Sequence, residues 1–222
     1  MPRQARVSIA DTIYHIINRA NGRQTIFHTE KEYKHFEILM QEAKDLTGMR
    51  ILAYCIMPNH FHFIIYPRTD TDLAEFMGWL TTTHARQYRT KTNTIGHGHL
   101  YQDRYKSFPV ETNEYALTLI RYIEQNPLRA KLVEKSEDWQ WSSLYRREKG
   151  SVKEKCLLDT LPIDLPGNYL SSVNDVLKND DLNDIRYSVN KGKPYGTRGW
   201  IEKMVEKFGL DHTVRGPGRP KK

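Results

Sequence analysis

Hydrophobic and polar positions follow two different periods along the N-terminal part of the chain. Four short apolar runs, bounded by turn residues, have the length and β-branched or aromatic content of strands. An Asn21-Gly22 pair follows the first run, and a Met-Pro-Asn turn separates the second from the third. These runs predict β-strands at residues 12–18, 49–55, 60–66 and 104–110.

Between these runs, apolar residues recur at helical spacing. The first predicted helix begins after Thr29, which has Glu32 three residues on, the pattern of a capping box. The second covers residues 72–90, and the third runs from about Thr112 to Gln125 and ends before Pro127. The order β-α-β-β-α-β predicts an α+β fold of the ferredoxin-like, split βαβ type, with an antiparallel sheet and helices on one face.

The C-terminal part of the chain has a different character. Residues 149–196 are polar and weakly periodic, and we interpret them as an irregular connector after a domain at residues 1–148. From Thr197 onward, Trp200, Ile201 and Met204 lie on one face of a short amphipathic helix. Residues 197–222 are therefore predicted to be a helix with a basic tail, so the extension as a whole is expected to be mostly irregular or helical.

Composition indicates a globular protein of the cytoplasm. No apolar run approaches the ~20 residues that span a bilayer, and the N-terminus has no long apolar segment typical of a secretory signal. The chain has only two cysteines, Cys55 and Cys156, without a CxxC motif. We interpret Cys55 as a small buried hydrophobic residue rather than half of a disulfide.

The charge balance favours a polyanionic partner. The net charge is +7 and the pI is about 9.3, and lysines or arginines near phosphates release condensed counterions. The last eight residues, RGPGRPKK, contain four positive charges and no acid. This tail is too short and polar to form a core, and is predicted to contact phosphates through Arg215, Arg219, Lys221 and Lys222.

The stretch CIMPNHFHFIIYP contains the first candidate for chemistry. His60 and His62 share one face of the predicted strand, while Phe61 and Phe63 share the other and are expected to pack under the helices. The histidine face is then the open side of the sheet, where two neutral imidazoles can bind one metal ion. The alternative is a pair of partly exposed histidines that bind nothing. A second pair, His97 and His99, lies between glycines in a loop and is a poorer candidate.

The third predicted helix adds a phenol and an amide. Its apolar stripe consists of Ala116, Leu119, Ile120 and Ile123, and Tyr122 and Asn126 lie four residues apart at one edge of that stripe. A tyrosine hydroxyl can act as a nucleophile, and an asparagine oxygen is a neutral metal ligand. The chain has 13 tyrosines, so packing roles compete with this interpretation, and the rival candidates are Tyr115, Tyr101 and Tyr105.

Four sequence blocks in this order resemble the single-tyrosine HUH transposases. They are YHIINRANGRQTIF, MPNHFHFII, YQDRYKS and RYIEQNPLRAKLV, covering about residues 10–147. The resemblance is greatest to the branch associated with repetitive extragenic palindromes (REP), and NKGKPYG with the GRP-containing tail resembles that branch's C-terminal extension.

The resemblance implies a DNA strand transferase. His60 and His62 correspond to the HUH pair, Tyr122 to the nucleophile and Asn126 to the third metal ligand, where some relatives have glutamine. The implied reaction cleaves and rejoins single-stranded DNA, with hairpins as targets, through a 5′-phosphotyrosine and a divalent metal. Mg²⁺ or Mn²⁺ suits mixed N/O ligands, and Co²⁺, Ni²⁺ or Zn²⁺ can substitute.

The basic residues near the predicted site are candidates for holding the DNA strand. Arg104 and Lys106 lie beside Tyr105 and Phe108 in the fourth predicted strand, and Arg129 and Lys131 follow the tyrosine helix. Ordinary solvated charges are the alternative for this group. The long C-terminal extension favours a monomer over a homodimer.

Two other functions remain open from the sequence. The first is a non-catalytic module that binds single-stranded nucleic acid on a basic, aromatic surface. The second is a metal hydrolase that uses activated water, for which the chain shows no carboxylate motif.

Overall fold

The computed structural model describes residues 8–214 and contains one four-stranded antiparallel sheet. The strand order is β2-β3-β1-β4, which is the order of the split βαβ fold, and each neighbouring pair is antiparallel. The α+β, ferredoxin-like prediction is confirmed. The strands are β1 (Ile13–Arg19), β2 (Arg50–Met57), β3 (His60–Tyr66) and β4 (Lys106–Val110).

Helices α1 (Glu30–Thr47) and α2 (Asp72–Lys91) cover one face of the sheet. Helix α1 begins with the predicted capping box, because Thr29 and Glu32 each accept a hydrogen bond from the other's backbone N–H. It ends at Gly48, whose φ of 68° is the left-handed conformation favoured at helix C-termini. The predicted Phe face of β3 packs here, since Phe61 and Phe63 are fully buried in the same core as Phe36 and Phe76.

The opposite face of the sheet is also covered, which corrects the prediction of an open histidine side. Helix α3 (Glu114–Glu124) packs its apolar stripe against Ala53, Cys55, Ile64 and Phe108. The reason is visible in β2, where both alternating sets of side chains are apolar and therefore need cover on both sides. His62 is 2% exposed as a result.

The stretch predicted as an irregular connector is about half helical. Four of its residues, Tyr169, Val173, Ile185 and Tyr195, are buried in the same core as α3. Tyr195 also hydrogen-bonds through its backbone to Pro109 and Glu111 beside β4. These residues of the C-terminal part thus belong to the core of the fold. The predicted domain boundaries after residues 148 and 196 stay a prediction. The helices from residue 143 onward are α5 (Ser143–Lys149), α6 (Val152–Lys155), α7 (Tyr169–Asn174), α8 (Asn179–Lys191), α9 (Arg198–Phe208) and α10 (Asp211–Val214).

Burial of His84 makes the stability of this core depend on pH. His84 on α2 is 4% exposed, lies 2.6 Å from the Tyr101 hydroxyl through Nδ1, and packs against Phe27 and Phe36. Burial, with a smaller effect from His35, lowers the pKa of His84 from 6.5 to about 3. Between these two pH values the unfolded chain binds a proton that the folded chain rejects, so stability is lost as pH falls below 6.5.

We expect His84→Gln, which can keep a hydrogen bond to Tyr101 but cannot titrate, to flatten this dependence. The slope of unfolding free energy against pH should fall by up to about 1.4 kcal/mol per pH unit between pH 6 and pH 4, since that is the value of one titrating group. Urea unfolding of both proteins across that interval measures the slopes. If the wild type and His84→Gln gave equal slopes, folded His84 would bind a proton as readily as the unfolded chain does, and burial would not lower its pKa.

Candidate active site

The paired histidines lie at the beginning of β3, directly after the turn at Pro58 and Asn59. His60 is opposite Met57 on β2 and Arg19 on β1, and His62 is opposite Cys55 and Ile17. The two imidazole rings are edge to face, with centroids 5.1 Å apart. The prediction that they share one face of a strand is confirmed.

A third histidine, which the sequence analysis missed, supports His62 from β1. His15 is fully buried, and its Nε2 lies 2.9 Å from Nδ1 of His62. If Nδ1 of His62 carries the hydrogen, it donates to His15 and leaves the Nε2 lone pair of His62 available to a ligand. Nδ1 of His15 is buried without a hydrogen-bond partner among the described residues. A histidine inside the otherwise apolar run IYHIIN was the available signal.

Burial keeps all three imidazoles neutral at physiological pH. It lowers the pKa of His15 to about 3. It also lowers the pKa of His60 to about 3, with a contribution from the nearby Arg19 charge. For His62 the pKa falls well below 6.5, mainly through burial and then through His60, His15 and Arg129. A neutral imidazole is the form that binds a metal ion.

The free ring atoms of the pair fit a metal with two nitrogen ligands. Nδ1 of His60 lies 2.6 Å from the side-chain oxygen of Asn59, and Nδ1 of His62 is taken by His15. No hydrogen bond joins either Nε2 to another residue within 8–214. The same part of the chain holds no cluster of three or more His, Cys, Asp or Glu with metal-binding spacing. An amide oxygen is a ligand of another type, outside these four residue types.

Tyr122 on α3 contacts His62 of this pair. Its ring meets the His62 ring edge on, with centroids 6.3 Å apart, and the side chain is half-buried. The guanidinium of Arg129 lies over the Tyr122 ring, 4.0 Å from the ring centroid. Its Nη1 also donates to the Tyr122 carbonyl at 3.0 Å. The tyrosine ring is thus held between a cation and a neutral imidazole.

The rival residues lie elsewhere. Tyr115 packs edge on against Tyr195, while Tyr101 and Tyr105 belong to the core on the opposite face of the sheet. His97 and His99 are exposed in their loop. Of the four tyrosines considered, only Tyr122 has a ring contact with the histidine pair.

Asn126 is joined to Tyr122 through Arg129. Its side-chain oxygen accepts a hydrogen bond from Nη2 of Arg129 at 2.6 Å, and its Nδ2 donates to the Ile123 carbonyl. Asn126 begins the four-residue helix α4 (Asn126–Arg129), so the chain turns helical again immediately after α3 with Pro127 in its first turn. No hydrogen bond within the described part of the chain joins Asn126 to His60 or His62.

The end of α3 is fixed by buried polar contacts with the C-terminal helices. The fully buried carboxylate of Glu124 accepts hydrogen bonds from Ser143, Arg147 and Tyr169. Gln125 donates to the carbonyls of Val173 and Asp175 at 2.9 and 2.5 Å. These contacts set the position of the helix segment that carries Tyr122.

The predicted DNA-binding residues divide into three groups. Arg104, Lys106 and Lys131 are exposed, whereas Arg129 is half-buried against Tyr122. Burial lowers the pKa of the Arg129 guanidinium from its ordinary value. The four basic residues of the tail lie outside the described residues: Arg215, Arg219, Lys221 and Lys222.

The family model described as "Transposase IS200 like" matches residues 8–126, from the segment before β1 to Asn126. The chain belongs to this family of IS200-like transposases. The match includes the paired histidines and Tyr122, and stops before the C-terminal helices. Within residues 8–214, none of the helices combines the length and apolarity that crossing a bilayer requires.

Individual relatives place this family member near the REP-associated branch. A curated Haemophilus influenzae protein named as a REP-associated tyrosine transposase is 25% identical over 109 residues, which cover 46% of this chain and 62% of that protein. The chain therefore spans about three fifths of the length of this relative. The predicted resemblance to single-tyrosine, REP-associated transposases is confirmed.

One solved structure supports the fold. A REP-associated tyrosine transposase bound to a REP hairpin has a TM-score of 0.52 at 17% identity, with 66% of this chain and 84% of that chain covered. A Deinococcus radiodurans structure described as a transposase has a TM-score of 0.40 at 19% identity, covering 55% and 95% of the two chains.

Proposed function

We propose that this IS200-like family member is a transposase that cleaves and rejoins single-stranded DNA with Tyr122 as the nucleophile. The observation that carries the proposal is the contact of the Tyr122 ring with His62, whose ring, like that of His60, is neutral with a free Nε2. A phenol beside a two-imidazole site is the combination that a metal-assisted attack on phosphorus needs.

The proposed reaction exchanges one phosphate ester for another. The Tyr122 oxygen attacks a backbone phosphorus, loses its proton, and forms a 5′-phosphotyrosine as the bond from phosphorus to the 3′ oxygen breaks. That oxygen takes up a proton and leaves as a 3′-hydroxyl. A different 3′-hydroxyl then reverses the step and rejoins the strand, so no nucleotide triphosphate is consumed.

His60 and His62 would hold the divalent metal, with the Asn126 oxygen as third ligand. A bound Mg²⁺ or Mn²⁺, or Co²⁺, Ni²⁺ or Zn²⁺ in substitution, would polarise the scissile phosphate and stabilise charge on its oxygens. Asn126 must first exchange its hydrogen bond from Arg129. His15 fixes the His62 ring so that Nε2 rather than Nδ1 faces the ligand.

Single-stranded DNA flanking a hairpin is the proposed substrate. Support comes from the solved relative of the same fold, which is bound to a REP hairpin, and from the net charge of +7. A helix-borne phenol also requires an accessible backbone at the cut site. We further propose that the chain acts as a monomer in the cytoplasm.

Covalent trapping tests this proposal. The full chain, incubated with an end-labelled hairpin carrying a single-stranded flank and Mn²⁺, should give a protein–DNA adduct that survives denaturing electrophoresis. Excess EDTA should prevent it, and peptide mapping should place the nucleotide on Tyr122. His60→Ala and His62→Ala should each weaken Mn²⁺ binding, measured by calorimetry, by at least about tenfold.

The competing functions give different results in the same assay. Tight DNA binding that is unchanged by EDTA and by His60→Ala, without any adduct, would indicate a non-catalytic binding module. An adduct mapped to Tyr115 would reject the assigned nucleophile while keeping the reaction class.

A further inference from the structure

A polar cavity of about 340 Å³ opens beside the histidine pair. The sheet register places it there, because Arg19 is opposite His60 and Ile17 is opposite both His62 and Lys106. Lys106 alternates with Ser107 and therefore shares its face with Phe108, the face that His15 and α3 occupy. The volume of the cavity is within the range of small-ligand sites. The cavity is lined by Ile17, Asn18, Arg19, Gln102, Asp103, Arg104, Lys106, Val189 and Asn190.

The cavity has an excess of positive charge. Three cations, Arg19, Arg104 and Lys106, line it together with one acid, Asp103. Arg19 is half-buried, and no residue within 8–214 forms a hydrogen bond or ion pair with its guanidinium. Its Nε is buried without an acceptor, which is costly unless a ligand supplies one. An oxyanion such as a phosphate is the matching ligand, since a guanidinium binds two of its oxygens at once.

The far wall of the cavity comes from α8, beyond the residues that the family model matches. Val189 and Asn190 line the cavity from this helix. Arg186, one turn earlier, lies close enough to Arg129 to lower the pKa of that guanidinium, although burial is the larger cause. Helix α8 therefore lines the cavity and also carries a charge in the neighbourhood of the arginine that stacks on Tyr122.

We infer that this cavity binds a backbone phosphate of single-stranded DNA next to the phosphate that is cut, with Arg19 as its principal ligand. The inference rests on the proposed function, because only that function places a single strand of DNA at the histidine pair. Arg19 contacts the neighbouring phosphate, Arg104 and Lys106 add charge at the mouth, and Asn190 of α8 closes the opposite side. The C-terminal helices then help to hold the substrate as well as the fold.

DNA affinity without catalysis tests the inference. Fluorescence anisotropy of a labelled single strand, in EDTA and over a salt series, gives Kd and its salt dependence for the full chain. Arg19→Gln should raise Kd about tenfold and reduce the slope of log K against log salt by about 0.7, the value for one phosphate on a single strand. Arg86→Gln, on α2 at the opposite face of the sheet, is the matched control and should change neither.

Two further variants keep the inference testable if Arg19→Gln fails to fold, as judged by its thermal unfolding. Lys106→Gln changes an exposed residue and should reduce the salt slope in the same direction. Asn190→Glu should weaken binding by placing a negative charge in the wall. Unchanged Kd and slope in the folded variants would overturn the inference. The two proposals fail in different assays. If the proposed function is wrong, the wild-type protein forms no Tyr122 adduct, while its DNA affinity can still depend on Arg19.

Discussion

Replacing Tyr122 with phenylalanine is expected to abolish the covalent adduct and to lower strand cleavage by at least about a thousandfold. Removing the nucleophile of a covalent mechanism leaves only the rate that binding and charge stabilisation can support. Phenylalanine keeps the ring that stacks under Arg129 and meets His62 edge on. The variant should therefore fold and bind DNA as the wild type does, so the loss falls on the chemical step. Single-turnover cleavage of a labelled strand measures it.

Tyr115→Phe is the matched control for this substitution. Tyr115 lies on the same helix, seven residues earlier, and packs against Tyr195 instead of the histidines. We expect its variant to retain wild-type cleavage. If Tyr122→Phe still cleaved DNA at the wild-type rate without an adduct, the activity would belong to a metal hydrolase using water, and our assignment of Tyr122 would be wrong.

The parts of this site that lie on one element could be predicted from the sequence. His60 and His62 are placed on one face by the two-residue period of a strand, and Tyr122 by the helical stripe of α3. The capping box at Thr29 is likewise a local pattern, and the structure confirms it. Each of these depends on residues within a few positions of one another, where backbone geometry alone determines the arrangement.

The missed residues depend on contacts between distant segments. His15 reaches His62, and Arg19 faces His60, only because β1 pairs with β3 in one particular register. A histidine in an apolar run marks His15 as unusual, but its partner depends on the register, which is set by the whole sheet. The covered histidine face was missed for a different reason. Cys55 and Ile64 on that face are apolar, and giving weight to them would have predicted a second layer.

The helix predicted from Thr197 is present as α9, whereas the helices α5 to α8 were missed. Buried polar groups, besides apolar contacts, attach these helices to α3. Glu124 and Arg147 form an ion pair in the interior, to which Tyr169 and Ser143 add hydrogen bonds. A sequence pattern that counts only apolar residues assigns such segments to the surface. In this fold the same contacts position the tyrosine helix.

Glu124→Gln is accordingly expected to destabilise the protein by about 3 kcal/mol or more. The substitution preserves the shape of the side chain but removes the charge that pairs with Arg147, leaving a largely buried cation without its partner. Urea unfolding at neutral pH measures the change in unfolding free energy. Glu202→Gln, which breaks the exposed pair with Arg198 on α9, is the control and should have little effect.

Adding Arg147→Met to Glu124→Gln separates the ion pair from general damage to the core. Because the double variant no longer contains an unpaired buried cation, it should recover part of the lost stability, with a coupling energy of at least about 1 kcal/mol. A loss below about 1 kcal/mol in Glu124→Gln alone would mean that water reaches this pair. The end of α3 would then be held mainly by its apolar stripe, and the C-terminal helices would have a smaller part in positioning Tyr122 than the contacts of Glu124 imply.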